Sequence, residues 1–136
     1  MRGFAVLALA VLALAACASL QAGTQPQTSL RISFWDGGAP TSVPDAVWTL
    51  RCNPARGSLA RPARACTRLA LDGVKLFAPV RPDTVCTQLY GGPQRARIVG
   101  TVRGKRVWTT VTRTNGCEIA RWQRLSPWLL PPGGVT

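Results

Sequence analysis

The alternation of apolar and polar positions divides the chain into a short apolar leader and one folding unit. Phe4 to Ala16 is an almost purely apolar stretch of thirteen residues behind the positive Arg2. Such a run is short for a bilayer span and suits the hydrophobic region of an export signal. Farther on, Leu30, Ile32 and Phe34 alternate with polar neighbours, as one face of a strand does, and Gly37-Gly38 ends the run. Trp48, Leu50 and Cys52 predict a second strand, stopped at Pro54. Between Pro62 and Leu71 the period becomes helical. Pro62 suits a first turn, Cys66, Leu69 and Ala70 share a face, and Asp72-Gly73 closes the helix. Leu76 to Asp83, punctuated by Pro79 and Pro82, predicts extended but irregular chain. Ala96–Val102 and Val107–Thr114 predict a hairpin across Arg103-Gly104-Lys105-Arg106. In its second arm Trp108, Thr110 and Thr112 alternate with Val107, Val111 and Arg113, and the Val and Thr content favours strand. Glu118 to Leu125 predicts a short helix ended by Pro127, with a loose tail over residues 131–136.

The end of the leader adds chemistry. Leu14-Ala15-Ala16-Cys17 resembles the bacterial lipobox, which implies cleavage before Cys17 and acylation of that cysteine. Residues 1–16 are then a lipoprotein signal peptide. Residues 17–28, rich in Gln, Thr, Ala and Gly, are the lipidated Cys and a flexible tether, and residues 29–130 form a single domain. Two or three acyl chains make a stable membrane anchor. The expected location is the cell envelope, on the extracellular face or in a periplasm, or the secreted fraction if Cys17 is not acylated.

Composition narrows the chemistry. The 136 residues include 17 basic against 5 acidic side chains, a formal net charge of +12; loss of Arg2 with the leader leaves about +11. That surplus suits anionic partners in general. Fifteen of the basic residues are Arg, spread without a dense run, and no nucleic-acid partner is expected. Histidine is absent, which removes Ser-His-Asp and Cys-His catalytic pairs and every His-containing metal site. The acids Asp36, Asp45, Asp72, Asp83 and Glu118 are scattered, with no close pair to serve as acid and base. An enzyme is not expected, and nothing calls for a cofactor or metal.

Beyond Cys17 stand Cys52, Cys66, Cys86 and Cys117. An even count in an exported chain, with no Cys-x-x-Cys spacing, argues for two disulfides. Of the three pairings the count allows, the element map favours Cys52–Cys66, local to a strand and the next helix, and Cys86–Cys117, which flank the hairpin.

These cysteines and their neighbours resemble the Streptomyces subtilisin inhibitor family. The resemblance rests on Thr49-Leu50-Arg51-Cys52-Asn53-Pro54, Gly57, Ala65-Cys66 with Leu69, Val85-Cys86-Thr87-Gln88-Leu89-Tyr90, Gly104-Lys105-Arg106-Val107 and Asn115-Gly116-Cys117. It implies an α+β domain with a five-stranded antiparallel sheet, two helices on one face, and the same two disulfides. It also implies inhibition of subtilisin-like serine proteases by an exposed loop that is cleaved slowly and held tightly. The reactive bond would be Gln88–Leu89, with Gln88 in the specificity pocket and Val85, Thr87 and Tyr90 contacting the cleft. Family members are commonly dimers, so the resemblance leaves a homodimer open. Gln at the specificity position is unusual for the family, and Gly91-Gly92-Pro93-Gln94 looks like a one-residue insertion that would loosen the loop and let it hydrolyse. The end after Cys117 matches poorly, and Trp122 and Trp128 are expected to pack in the core. Two other readings stand beside the inhibitor: an envelope lipoprotein that kept the fold without the activity, and a basic cell-surface binding module.

Overall fold

The structure is a computed structural model that describes residues 27–133. Its elements in chain order are β1 (Ser29–Trp35), β2 (Ala46–Arg51), α1 (Pro62–Asp72), a 3-10 helix (Gly73–Phe77), β3 (Arg95–Val102), β4 (Lys105–Thr112) and α2 (Gly116–Leu125). The strands form one antiparallel sheet in the order β2-β1-β3-β4. The alternation that marks the strands also sets their inner face. Leu30 pairs with Leu50 and Ile32 with Ile98, and all four are buried. Ala96, Val102, Val107 and Val111 continue that face. Both helices close over it, α1 through Ala65 and Leu69, α2 through Trp122 and Leu125, in a single hydrophobic cluster. At about 25 cal/mol per Å2 of apolar surface, each buried Leu, Ile or Val here contributes about 1.5–3 kcal/mol.

The sheet has four strands among the described residues, where the resemblance implies five. At the free edge of β2 the pairing stops at a single isolated bridge. Arg51 and Arg56 exchange both backbone bonds, at 2.8 and 2.9 Å, in an isolated bridge. The next residue, Gly57, has φ +130° and lies so close to Thr49 that an added Cβ would sit 2.1 Å from the Thr49 carbonyl oxygen. After one bridge, therefore, the chain departs from strand geometry, and Leu59 reaches back to the Thr49 carbonyl with a 3.3 Å bond.

Other boundaries move slightly. The hairpin turn is the two residues Arg103 and Gly104, both at positive φ (49° and 77°), so β4 begins at Lys105, ahead of Val107. Such a turn matches the twist of the strands it joins. The inward face of α1 uses Ala65 and Leu69 with Cys66 half-buried, while Ala70 is exposed. Helix α2 begins at Gly116 because Asn115 caps it, its side chain accepting from the Glu118 N–H at 3.0 Å. Trp128, Leu129 and Leu130 are buried after α2. The Pro131 carbonyl accepts from the Trp122 indole N–H at 3.0 Å, so the chain is still docked where a loose tail was expected to begin. Both disulfides join the favoured partners, with Cα separations of 5.6 Å for Cys52–Cys66 and 5.4 Å for Cys86–Cys117.

Candidate functional site

Between the 3-10 helix and β3 the chain leaves the core and returns without regular structure. Leu76 and Phe77 are buried and fix its departure. The Ala78 carbonyl then accepts from the Arg121 guanidinium at 3.1 Å. Arg121 is a buried hub, pairing with Glu118 at 2.9 Å and donating to the Thr110 carbonyl and the Thr109 hydroxyl. It therefore joins the root of the loop to α2 and β4. Farther along, a forked pair between Arg81 and Asp83 and the Thr84 N–H to Arg81 carbonyl bond (3.1 Å) shape a turn.

The next residues are held at both ends. Cys86 is bonded to Cys117 at the start of α2. Thr87 accepts at its carbonyl from the Gly116 N–H at 3.0 Å. Four residues on, the Gly91 N–H donates to the Arg113 carbonyl at 2.8 Å. Both backbone bonds and the disulfide land on one short stretch, Arg113–Cys117, which comprises the β4–α2 connection and the first residues of α2. Gln88, Leu89 and Tyr90 are suspended between them. All three are exposed, Leu89 and Tyr90 each at 63%, and Val85 on the near side reaches 96%. Apolar side chains left in water at this density, on a segment tied down on both sides, are a common mark of a contact surface.

The Gly91-Gly92 pair, expected to slacken the loop, is packed against the support of this segment. Both glycines are buried. A Cβ on Gly91 would meet Ile119 of α2 at 2.9 Å, and one on Gly92, which has φ +133°, would meet the Arg113 guanidinium at 3.0 Å. The glycines let the chain press against α2 and Arg113, which braces the downstream side of the loop. The brace continues outward, since Gln94 accepts from Arg113 at 2.8 Å and donates to Asp36 at 3.2 Å. Arg113 is 3% exposed.

The sequence-marked residues Val85, Cys86, Thr87, Gln88, Leu89, Tyr90 and Cys117 thus come together in one loop and its support. The support also takes in Arg113, Ile119 and Arg121, which the sequence does not mark as part of it. For Arg113 a signal existed, because β4 alternation puts it in register with Val107 and Val111, an inward place for a charged residue. Cys52 and Cys66 lie elsewhere, joining the end of β2 to α1. Cys17 lies outside the described residues. No cluster of metal-ligating side chains occurs among the described residues.

The class defined here is an α+β domain with a short exposed segment stapled to the start of a helix. The chain belongs to the subtilisin inhibitor-like family, whose model matches residues 25–115, from just before β1 through the β4–α2 connection. Members of this family are inhibitors, not enzymes. Among solved structures, the chain is similar to one from the crystal structure of Streptomyces caespitosus sermetstatin in complex with Bacillus licheniformis subtilisin. The two share 25% identity and a TM-score of 0.53, over 76% of this chain and 97% of that one. No curated protein matches.

Proposed function

We propose that this protein is an exported inhibitor of subtilisin-like serine proteases and that Gln88–Leu89 is the bond it offers. The observation that carries this reading is the suspension of Gln88-Leu89-Tyr90 between two backbone bonds and a disulfide on one connection. An extended segment with free backbone groups can pair with the edges of a protease cleft, while Thr87, Gln88, Tyr90 and Val85 supply side-chain contacts. Because the segment is already ordered, binding freezes little additional chain freedom. The protease serine would attack the Gln88 carbonyl carbon, break the bond to the Leu89 nitrogen and leave that nitrogen as an amine. Cleavage would not free either end. Cys86–Cys117 retains the acyl side, and the Gly91 bond to Arg113 retains the amine side. The amine stays close to the acyl-enzyme, so resealing competes with hydrolysis. Family membership and the subtilisin in the sermetstatin complex support a subtilisin-like partner.

Acylation of Cys17 is part of the proposal and accounts for the apolar leader and the small residues before that cysteine. It would hold the inhibitor at the cell envelope through residues 18–28. Replacing Cys17 with Ser should move the protein from the membrane fraction to the soluble one. A wild-type protein that is already soluble, with a free Cys17 thiol, would remove the anchor from the proposal and leave the inhibitor intact.

The inhibitor reading is tested by titrating subtilisin with the chain from Ala18 onward, which holds every described element, the whole described core and both disulfides. Activity should fall in proportion to inhibitor added and level at a one-to-one ratio. Undiminished activity at large excess would contradict the proposal.

A further inference from the structure

The five acidic side chains are placed unevenly on the domain. Asp36 follows β1 and Asp45 precedes β2 at one end of the sheet, where the Asp45 carboxylate accepts from the Asp36 N–H. Glu118 accepts from the Thr112 N–H at that same end, and Asp83 lies in the chain that leads into the Gln88–Leu89 loop. The opposite end is built from α1, the start of the 3-10 helix and the β3–β4 turn. It holds one acid, Asp72, already paired with Arg68 at 2.8 Å. Its cations outnumber that acid: Arg64, Arg68, Lys75, Arg103 and Lys105 are all exposed. Because α1 turns Ala65 and Leu69 inward, Arg64, Thr67 and Leu71 project outward. Arg103 lies across the end of the helix and donates to the Ala70 carbonyl at 3.4 Å. Leu71 is 78% exposed and, with Lys75, Arg103 and Lys105, lines a recess of about 360 Å3 whose one acid is the paired Asp72. This surface belongs to the helix-covered side of the sheet, since Lys105 is in register with the buried Val102.

We propose that the α1 end of the domain docks on an anionic phospholipid membrane, with Arg64, Lys75, Arg103 and Lys105 on lipid phosphates and Leu71 pressed among the headgroups. Arg meets phosphate oxygens with its planar fork of donors, and Lys adds a compact point charge. Leu71 separates a membrane from a soluble polyanion, which would leave that side chain in water; a bilayer interface takes apolar groups out of it. A second copy is a poor occupant, because a two-fold contact would set these cations against their own copies with only the paired Asp72 to answer them. The route of the chain points the same way. The Gly104 N–H donates to the Gln27 carbonyl at 3.1 Å and the Arg103 N–H to the Thr28 hydroxyl at 3.0 Å. Thr28 in turn lines one recess with Thr67 and Ala70 of α1. The N-terminal segment therefore joins the domain between α1 and the β3–β4 turn, at the proposed docking surface. From Cys17 to Gln27 the chain can span at most about 35 Å. If Cys17 is acylated as proposed above, this end stays within that reach of the bilayer; the charge and the exposed Leu71 do not depend on acylation. The Gln88–Tyr90 loop lies past the other end of β4, about 23 Å along the strand, so a docked domain holds it away from the membrane.

The test uses the unacylated chain from Ala18 onward with vesicles of phosphatidylcholine alone, vesicles containing about a third phosphatidylglycerol, and heparin as a soluble polyanion. The chain should sediment with the phosphatidylglycerol vesicles and not with phosphatidylcholine, and high salt should release it, since surface attraction is screened over about a Debye length. Because the whole chain is basic, two triple variants remove the same charge from different places. Each cation near an anionic surface is worth about fivefold in affinity, so changing Arg64, Lys75 and Lys105 to Gln should weaken vesicle binding by about a hundredfold. Changing Arg56, Arg97 and Arg124 to Gln, all exposed elsewhere, should weaken it by less than about fivefold. Leu71→Asn should weaken vesicle binding by about tenfold and leave heparin binding unchanged. Subtilisin titration of the Arg64, Lys75 and Lys105 variant should match the unchanged chain, which shows that it is folded and separates failure of this surface from failure of the inhibitor reading. Equal weakening by the two triple variants would reduce the effect to net charge and overturn the proposal. So would no sedimentation with phosphatidylglycerol vesicles, or a Leu71→Asn chain that binds them as tightly as the unchanged one.

Discussion

The two disulfides offer a perturbation in which stability and function come apart. Cys86–Cys117 closes a sequence separation of 31 residues and Cys52–Cys66 one of 14. In the chain-entropy model, opening them costs about 3.7 and about 3.0 kcal/mol respectively at 25 °C. For a domain of this size that is a fall in melting temperature of roughly 15 °C and 12 °C. The Cys52–Cys66 bridge lies at the junction of β2 and α1, whereas Cys86–Cys117 is the upstream restraint on Gln88. Each pair should be replaced by Ser and melting followed by circular dichroism. Inhibition and cleavage should then be assayed well below both transitions. Both variants should lose similar stability. The Cys52/Cys66 variant should still titrate subtilisin one to one, while the Cys86/Cys117 variant should be digested as a substrate. Equal inhibition by both folded variants, or equal loss by both, would refute the assignment of Cys86–Cys117 as the loop's restraint.

Three further outcomes follow from the loop and its support. Gln88→Lys should gain inhibition of trypsin-like enzymes, whose pocket carries a carboxylate, by about 2–5 kcal/mol, measured as a change in inhibition constant; an unchanged constant would move the reactive bond elsewhere. Gly91→Val, whose side chain would collide with Ile119, should weaken the bond to the Arg113 carbonyl and raise the rate of loop hydrolysis severalfold by mass spectrometry, with a smaller effect on melting. Arg121→Met leaves Glu118 without its ion pair and the Ala78 carbonyl without its donor, and should cost about 3–5 kcal/mol in urea unfolding.

Much of the fold was legible because its inner face repeats with period two. Leu30, Ile32, Val107 and Val111 needed only alternation to be put on one side. The helix pattern at Pro62 and the cysteine spacing gave α1 and both disulfides. The single bridge at the edge of β2 was not legible, since it depends on tertiary contacts such as the close approach of Gly57 to the Thr49 carbonyl. The packing of the glycine pair is hidden from the sequence for the same reason. Isolated in sequence, Gly91-Gly92 signals slack; packed against Ile119 and Arg113, it signals tight contact. The buried arginines Arg113 and Arg121 follow from partners 19 and 43 residues away, Gln94 and Ala78, which no local period reveals. The basic end at α1 required the fold, because Arg64, Lys75 and Lys105 are drawn from three elements that the charge distribution along the chain does not group.

The measurement that bears most directly on the central claim is mass spectrometry of the chain from Ala18 onward after incubation with a stoichiometric amount of subtilisin. The expected product is a single slow, partial cut between Gln88 and Leu89, with the two pieces still joined through Cys86–Cys117 and the protease still inhibited. Rapid complete digestion, a first cut at another bond, or an intact chain beside fully active protease would contradict it.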